Sequence, residues 1–249
     1  QLTAAADQYI LYVRDQVQTL VQKTDAFVEA YEAGDYDTAR AIYADARVHW
    51  ERVEPVAESF GDLDPKTDAR EADVAEGDAW TGWHAIEKNL WPPAEGFDLT
   101  ADEQKALAQD LKANIATLSE EVNAEAFTLD ASQIGNGAKA LLDEVANGKV
   151  TGEEEIWSHT DLWDFQANVD GALVAFGVLR DVVNETDPDL VAQLDSRFDE
   201  INALLAQYGS IHEGFVLYTE LTPAQVKELS DAVNALSEPL SQLTAAAVL

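Results

Sequence analysis

The sequence predicts an all-α protein, a bundle of about eight helices with no sheet, packed as a single domain over residues 1–249. Three observations carry that expectation. Apolar residues recur at three- and four-residue spacing through most of the chain, which is the repeat of one helical face. Helix starts carry paired capping residues. The one strand-like run, 215–218, is too short and solitary to build a sheet.

The first helix is read from Tyr9, Val13, Val17, Leu20, Thr24, Phe27 and Tyr31, a single stripe that ends at Gly34. A second is expected over 36–59, before Gly61-Asp62-Leu63-Asp64-Pro65. A third should start at Asp68, with Glu71 three residues on, and run to Trp91, where Pro92-Pro93 stops it. Thr100 and Glu103 form a capping box for a helix over 102–126, followed by one over 131–147. A segment over 159–185 has Ser158 and Asp161 as a capping-like pair. Asp187-Pro188 and Thr222-Pro223 open the last two, over 188–208 and 222–247, each placing a capping residue before a proline suited to a first helical turn.

Composition narrows the function classes. Acidic residues number 48 against 15 basic ones, so the formal charge of −33 repels nucleic acid and anionic lipid. The absence of cysteine excludes disulfides, thiolate zinc sites, iron–sulfur clusters and cysteine nucleophiles. Methionine is absent even at position 1, so a processed chain whose signal peptide has been removed is expected. No apolar run approaches the ~20 residues of a membrane span. Neither a glycine-flanked serine nor a glycine-rich phosphate loop is present.

Chemistry-bearing residues concentrate in three stretches that hold all six tryptophans and His49, His84 and His159. In the first, Arg47, Glu51, Glu54 and Glu58 are spaced four, three and four, one stripe on one face. This is either a solvated face or the wall of a site, with Pro55 interrupting the helix beside it. In the second, His84 and Glu87 sit three apart, so imidazole and carboxylate can converge on one cation, and Gly77 and Gly82 lie inside the expected helix. A histidine with a neighbouring salt-bridge acceptor is the bland alternative. In the third, Asp161, Asp164 and Asn168 share a face, preceded by Glu153-Glu154-Glu155, read as a surface acidic run.

A donor set of imidazole and carboxylates without thiolate suits iron, manganese, zinc or copper. The paired Glu-x-x-His of di-iron bundles is missing, as is His-Glu-x-x-His. His84, Glu87 and a distant His212 imitate the zinc set of carboxypeptidases, but those enzymes build their site on a large sheet, which this chain lacks.

Two segments carry a resemblance. They are Gly82-Trp83-His84-Ala85-Ile86-Glu87-Lys88 and the upstream run Arg47-Val48-His49-Trp50-Glu51-Arg52-Val53-Glu54-Pro55-Val56-Ala57-Glu58-Ser59-Phe60-Gly61-Asp62-Leu63-Asp64-Pro65. Together with Asp68-Ala69-Arg70-Glu71-Ala72-Asp73 and the stretch from Ser158 to Phe165, they make the chain resemble the EfeO/EfeM family, within the imelysin-like group named for a His-x-x-Glu peptidase. The resemblance covers essentially the whole chain and matches the helical domain alone, without the cupredoxin domain that some members carry. It implies an extracytoplasmic, periplasmic or lipid-anchored iron-binding component, monomeric and not an enzyme, that works with a membrane iron permease and a haem peroxidase. It carries over His84 and Glu87 as metal ligands, with Glu51, Glu54, Asp73 and Asp161 matching acidic positions of the accompanying segments. The cargo implied is Fe3+ or Fe2+, with Zn2+ or Cu2+ as ions accepted in vitro. Trp83 departs from the phenylalanine more often expected there and keeps an aromatic wall. A zinc-dependent metallopeptidase of imelysin type, or an alginate-binding protein, is the alternative the wider group implies.

Overall fold

In the computed structural model, which describes residues 1–248, the expected stripe forms one long helix, α1 (Leu2–Glu32), with all seven of the residues read from sequence buried. Gly34 closes it in the left-handed region at φ 75°, where a Cβ would be strained. Against α1 lie α2 (Tyr36–Glu51), whose N-cap Asp35 accepts from the Thr38 N–H, and α6 (Ala101–Asn123), which starts in the Thr100–Glu103 capping box. The helices α7 (Ala131–Glu144), α8 (Asp161–Thr186), α9 (Pro188–Leu205) and α10 (Pro223–Leu240) complete the bundle, and a short α11 (Leu243–Val248) folds onto α7 and α8. Helix α8 is central: it packs on α1, α2, α7 and α9, and buried residues occur on several of its faces. One connected set of buried apolar side chains reaches from Ala5 to Ala247. No helix among the described residues is long and apolar enough to cross a membrane.

Four expectations are corrected, each for a local reason. The helix expected over 36–59 breaks after Glu51 and resumes as α3 (Glu54–Ala57), because Pro55 has no N–H to donate and is tolerated only in a first turn. The helix expected from 68 to 91 does not start at Asp68, which is the last residue of a short α4 (Leu63–Asp68). After a single 3-10 turn (Glu71–Asp73), the chain runs irregularly to α5 (Trp83–Leu90). Gly77 and Gly82 lie outside any helix at φ 91° and 92°, and a Cβ on Gly82 would stand 2.0 Å from the Thr67 carbonyl oxygen. That close approach is what the second glycine permits. The segment over 222–247 is two helices, separated at Ser241-Gln242. A sheet does exist, though a minimal one: β1 (Gly209–Ser210) pairs antiparallel with β2 (Gly214–Phe215).

Helix α7 does not simply end. Its last residues widen into a π turn (Val145–Lys149), with Val150 N–H donating to the Val145 carbonyl at 2.8 Å. Such turns are costly and recur at functional sites. This one delivers Lys149 to the interior.

Candidate metal centre

Four elements meet where α2 ends. Helix α2 supplies Arg47, Trp50 and Glu51, α3 supplies Glu54, α4 ends on Asp68, and α5 brings His84 and Glu87. The loop between the π turn and α8 adds Glu154 and Glu155, both buried rather than on the surface as their acidic run suggests. That loop is pinned from three sides. Glu87 Oε1 accepts the backbone N–H groups of Trp157 (3.0 Å) and Ser158 (2.7 Å). Asp161 Oδ1 accepts the Glu155 N–H at 3.0 Å. His159, at φ 63°, turns the chain and donates its N–H to the Glu155 carbonyl at 2.7 Å. Ser158 and Asp161 are therefore not a capping pair; Thr160 occupies the N-cap of α8.

His84 is the centre of the arrangement. Its Nδ1 faces Glu87 Oε2 at 2.9 Å, and its Nε2 faces Asp68 Oδ1 at 3.2 Å and Glu154 Oε1 at 3.3 Å. Ligand atoms of Asp68, His84 and Glu154 lie within 4.8 Å of one another, as do those of His84, Glu87 and Glu155. The two trios differ in access. Asp68 and Glu154 line a cavity of about 310 Å3, whereas Glu87 and Glu155 lie behind the imidazole and away from it. Glu87 is also committed on both oxygens, to two backbone N–H groups and to His84. A histidine that binds a metal through one nitrogen ordinarily gives the other N–H to a carboxylate, which fixes its tautomer. The Glu87–Nδ1 contact has that form, and it leaves Nε2 facing the cavity.

The electrostatics are unusual for a protein interior. Eight buried carboxyl groups (Glu51, Glu54, Asp68, Glu87, Glu154, Glu155, Asp161 and Asp164) share the region with Arg47, Lys149 and His84, so negative groups exceed positive ones even with the imidazole protonated. Arg47 is fully buried and reaches Glu51, Asp68 and Glu155 as direct partners, with Asp164 at 3.5 Å, beneath the rings of Tyr43 and Trp83. Lys149 Nζ stands 3.2 Å from Glu51 and 3.6 to 3.7 Å from Glu54, Glu144 and Glu154. Trp50 donates its indole N–H to Asp68 at 2.9 Å, and Tyr43 donates to Glu155, also at 2.9 Å.

These neighbours sort the acids into two groups. Burial pushes Asp68 and Glu154 upward, but Arg47 and His84 hold Asp68 well below the usual carboxylate range, and Lys149 and His84 bring Glu154 down to about 2. For the rest burial wins: Glu155 rises to about 8, Asp161 to about 7, and Glu54 and Asp164 well above their ordinary values. Burial and Arg47 push His84 down, yet the Glu155 charge and the hydrogen bonds with Asp68 and Glu154 outweigh them and raise it well above its ordinary value. The ionised carboxylates are thus the two facing the cavity.

Of the residues expected to hold metal, the structure brings together His84, Glu87, Glu51 and Glu54, and buries Asp161 behind them as the anchor of the Glu154–Glu155 loop. Asp73 is not part of the cluster. It is exposed, ion-paired with Arg70 at 2.7 Å, and sits at the cavity mouth. Sequence reasoning missed Asp68, Glu154, Glu155 and Lys149. Asp68 looked like a helix start and the glutamates like a solvated run, and a lone lysine after a helix carries no signal of burial.

An all-helical bundle with a buried histidine–carboxylate cluster opening onto an acidic cavity is the class that fold and site define. The chain belongs to the imelysin (peptidase M75) family, whose model matches residues 5–243. It is 42 % identical over 247 residues to an EfeM/EfeO family lipoprotein of Staphylococcus haemolyticus strain JCSC1435, which is 97 % of this chain and 83 % of that protein. The EfeM/EfeO family lipoprotein of Staphylococcus aureus strain NCTC 8325 is 40 % identical over 248 residues, 98 % of this chain and 84 % of that protein. These relatives carry a lipoprotein's name and not an enzyme's. Among solved structures, a Parabacteroides distasonis protein provisionally described as an iron-regulated protein A precursor superposes with a TM-score of 0.74, over 99 % of this chain and 95 % of that one. At 14 % identity that likeness concerns the fold alone.

Proposed function

We propose that this protein is the extracytoplasmic iron-binding component of an Efe-type uptake system, and that it captures iron as cargo at Asp68, His84 and Glu154 for transfer to a membrane permease, with a haem peroxidase as the third member. The observation that carries the reading is the orientation of His84: Glu87 holds Nδ1 while Nε2 meets two carboxylates on the floor of an acidic cavity. Carboxylate and imidazole donors suit iron, and the hard oxygens favour the ferric ion. In this arrangement iron replaces the proton on Nε2, so the imidazolium seen between Asp68 and Glu154 stands in for the cation. Glu51, Glu54 and Asp161 then act behind the site, and Glu87 orients the ligand rather than binding the ion.

The chain's charge of −33 draws cations toward the cavity and raises their rate of capture. The same charge opposes a polyanionic sugar. The lipoprotein name of the relatives supports a location outside the cytoplasm on a membrane anchor, and family membership supports the permease and peroxidase as partners. Equilibrium iron binding by the parent, His84→Ala and Asp68→Asn tests the reading. Each substitution should weaken binding at least tenfold while the far-UV helical signal persists. Parent-like affinity in both variants would place the iron elsewhere.

A further inference from the structure

The cavity above His84 holds a second constellation that the imidazole does not reach. Glu54 sits at its centre and belongs to two sets of converging acids, Glu54–Asp64–Asp68 and Glu54–Glu58–Glu144, in each of which one oxygen per residue lies within 4.8 Å of the others. All five residues line the cavity of about 310 Å3. An acidic cluster alone is commonplace. Here, however, Glu54 is only 5 % exposed and its Oε2 has no hydrogen-bond partner. The nearest cation to that oxygen, Lys149 Nζ, stands 3.7 Å away and outside hydrogen-bonding geometry. Asp64 Oδ1, on the opposite wall, also lacks a partner. Buried carboxylate oxygens in native proteins are nearly always satisfied, and an exception asks for a missing partner.

We propose that Glu54, Asp64 and Asp68 form a second cation site, built from oxygens only, at the mouth of the histidine site. Its ligand class is a hard di- or trivalent ion, because a set of carboxylates without nitrogen or sulfur selects hard cations. Glu58 and Glu144 form its outer rim. The two sites share Asp68, whose Oδ1 faces His84 while Oδ2 takes the Trp50 indole N–H. An ion held at the mouth therefore lies one carboxylate away from the buried trio, a staging position for cargo moving inward. The site stands on its own residues and does not depend on iron binding at His84.

Terbium(III) is the probe, because it is a hard, oxygen-seeking ion whose emission is sensitised by nearby indole, and Trp50 touches Asp68 directly. Titrations run at high salt, which screens the exposed acids, with the parent, His84→Ala, Glu54→Gln, and the double variant Glu54→Gln/Asp64→Asn, each checked for parent-like far-UV signal. Saturable sensitised emission should survive in His84→Ala. It should weaken at least tenfold in the double variant, and substantially in Glu54→Gln. Emission that persists in the double variant overturns the proposal, since the ion then sits elsewhere. Emission lost equally in His84→Ala also overturns it, by reducing the two sites to one. Iron binding measured in parallel keeps the histidine site's own test separate: loss of iron in His84→Ala with terbium retained supports two sites.

Discussion

Replacing Arg47 with methionine removes the main internal counter-charge while keeping an unbranched apolar stem. Arg47 directly pairs with Glu51, Asp68 and Glu155 and lies within 4 Å of Glu154 and Asp164, with no solvent access. Removing one partner of a buried pair strands the other, a loss of about 3–5 kcal/mol. For a chain of this size each kcal/mol moves the midpoint by about 2–4 °C, so the melting temperature should fall by roughly 6–20 °C near pH 8. The loss should depend on pH with a definite sign. Arg47 is the chief influence holding Asp68 below the usual range against its burial. Without the guanidinium that carboxyl takes up a proton more readily, and protonation relieves the stranded charge. The gap between parent and variant should therefore shrink as pH falls from 8 to 5. Thermal unfolding followed by far-UV circular dichroism at pH 5, 6.5 and 8 measures it. A variant within 2 °C of the parent at every pH would mean that Arg47 does not balance the buried acids.

The metal-free parent should itself lose stability as pH rises from about 5 to 8.5. Glu155 and Asp161 have native values of about 8 and 7, above their ordinary ones, so the folded state holds their protons longer than the unfolded chain does. That contribution is complete below pH 4 and disappears through pH 7 to 8; His84, also raised, acts in the same direction. A melting temperature that climbs steadily over pH 5–8.5 would refute it. Glu87→Gln should preserve the fold but lower iron affinity about 10- to 100-fold. The Trp157 and Ser158 N–H groups require the amide oxygen, which turns the amide nitrogen toward His84 Nδ1 and drives the imidazole proton onto Nε2, the nitrogen facing the cavity. Unchanged iron affinity in this variant would show that Nδ1 is not what Glu87 controls.

What was legible in the sequence was whatever is set by short-range periodicity. The α1 stripe, the Thr100 and Thr222 capping boxes and the Asp187-Pro188 start all follow from contacts within four residues, and all are present. Legibility failed wherever tertiary contact decides. The irregular chain between Asp68 and Gly82 contains helix-compatible residues, and its conformation is set by the fit of Gly82 against the Thr67 carbonyl, 15 residues away. The candidate site divides similarly. His84, Glu87, Glu51 and Glu54 could be grouped by helical spacing, but Glu154 and Glu155 turn inward only because Glu87 and Asp161 capture the backbone around them. Asp73 has the same composition-level signature as those acids and remains at the surface, since only Arg70 pairs with it.

The π turn at the end of α7 has a consequence for how this chain tolerates insertions and deletions. A π turn closes its hydrogen bonds over five residues instead of four, so it accommodates one residue more than the α-helical path it interrupts. Deleting a single residue from Ala146-Asn147 would restore an ordinary helical repeat, which looks locally favourable. It would also change the angular phase of everything beyond by about 100°, one residue's share of a 3.6-residue turn. Lys149 would then leave the side of the helix that looks toward Glu51 and Glu54, and the loop bearing Glu154 and Glu155 would depart from the wrong azimuth. In length variants of this protein, this short segment should be intolerant of one-residue change, whereas the exposed stretch from Glu76 to Ala79 should absorb it.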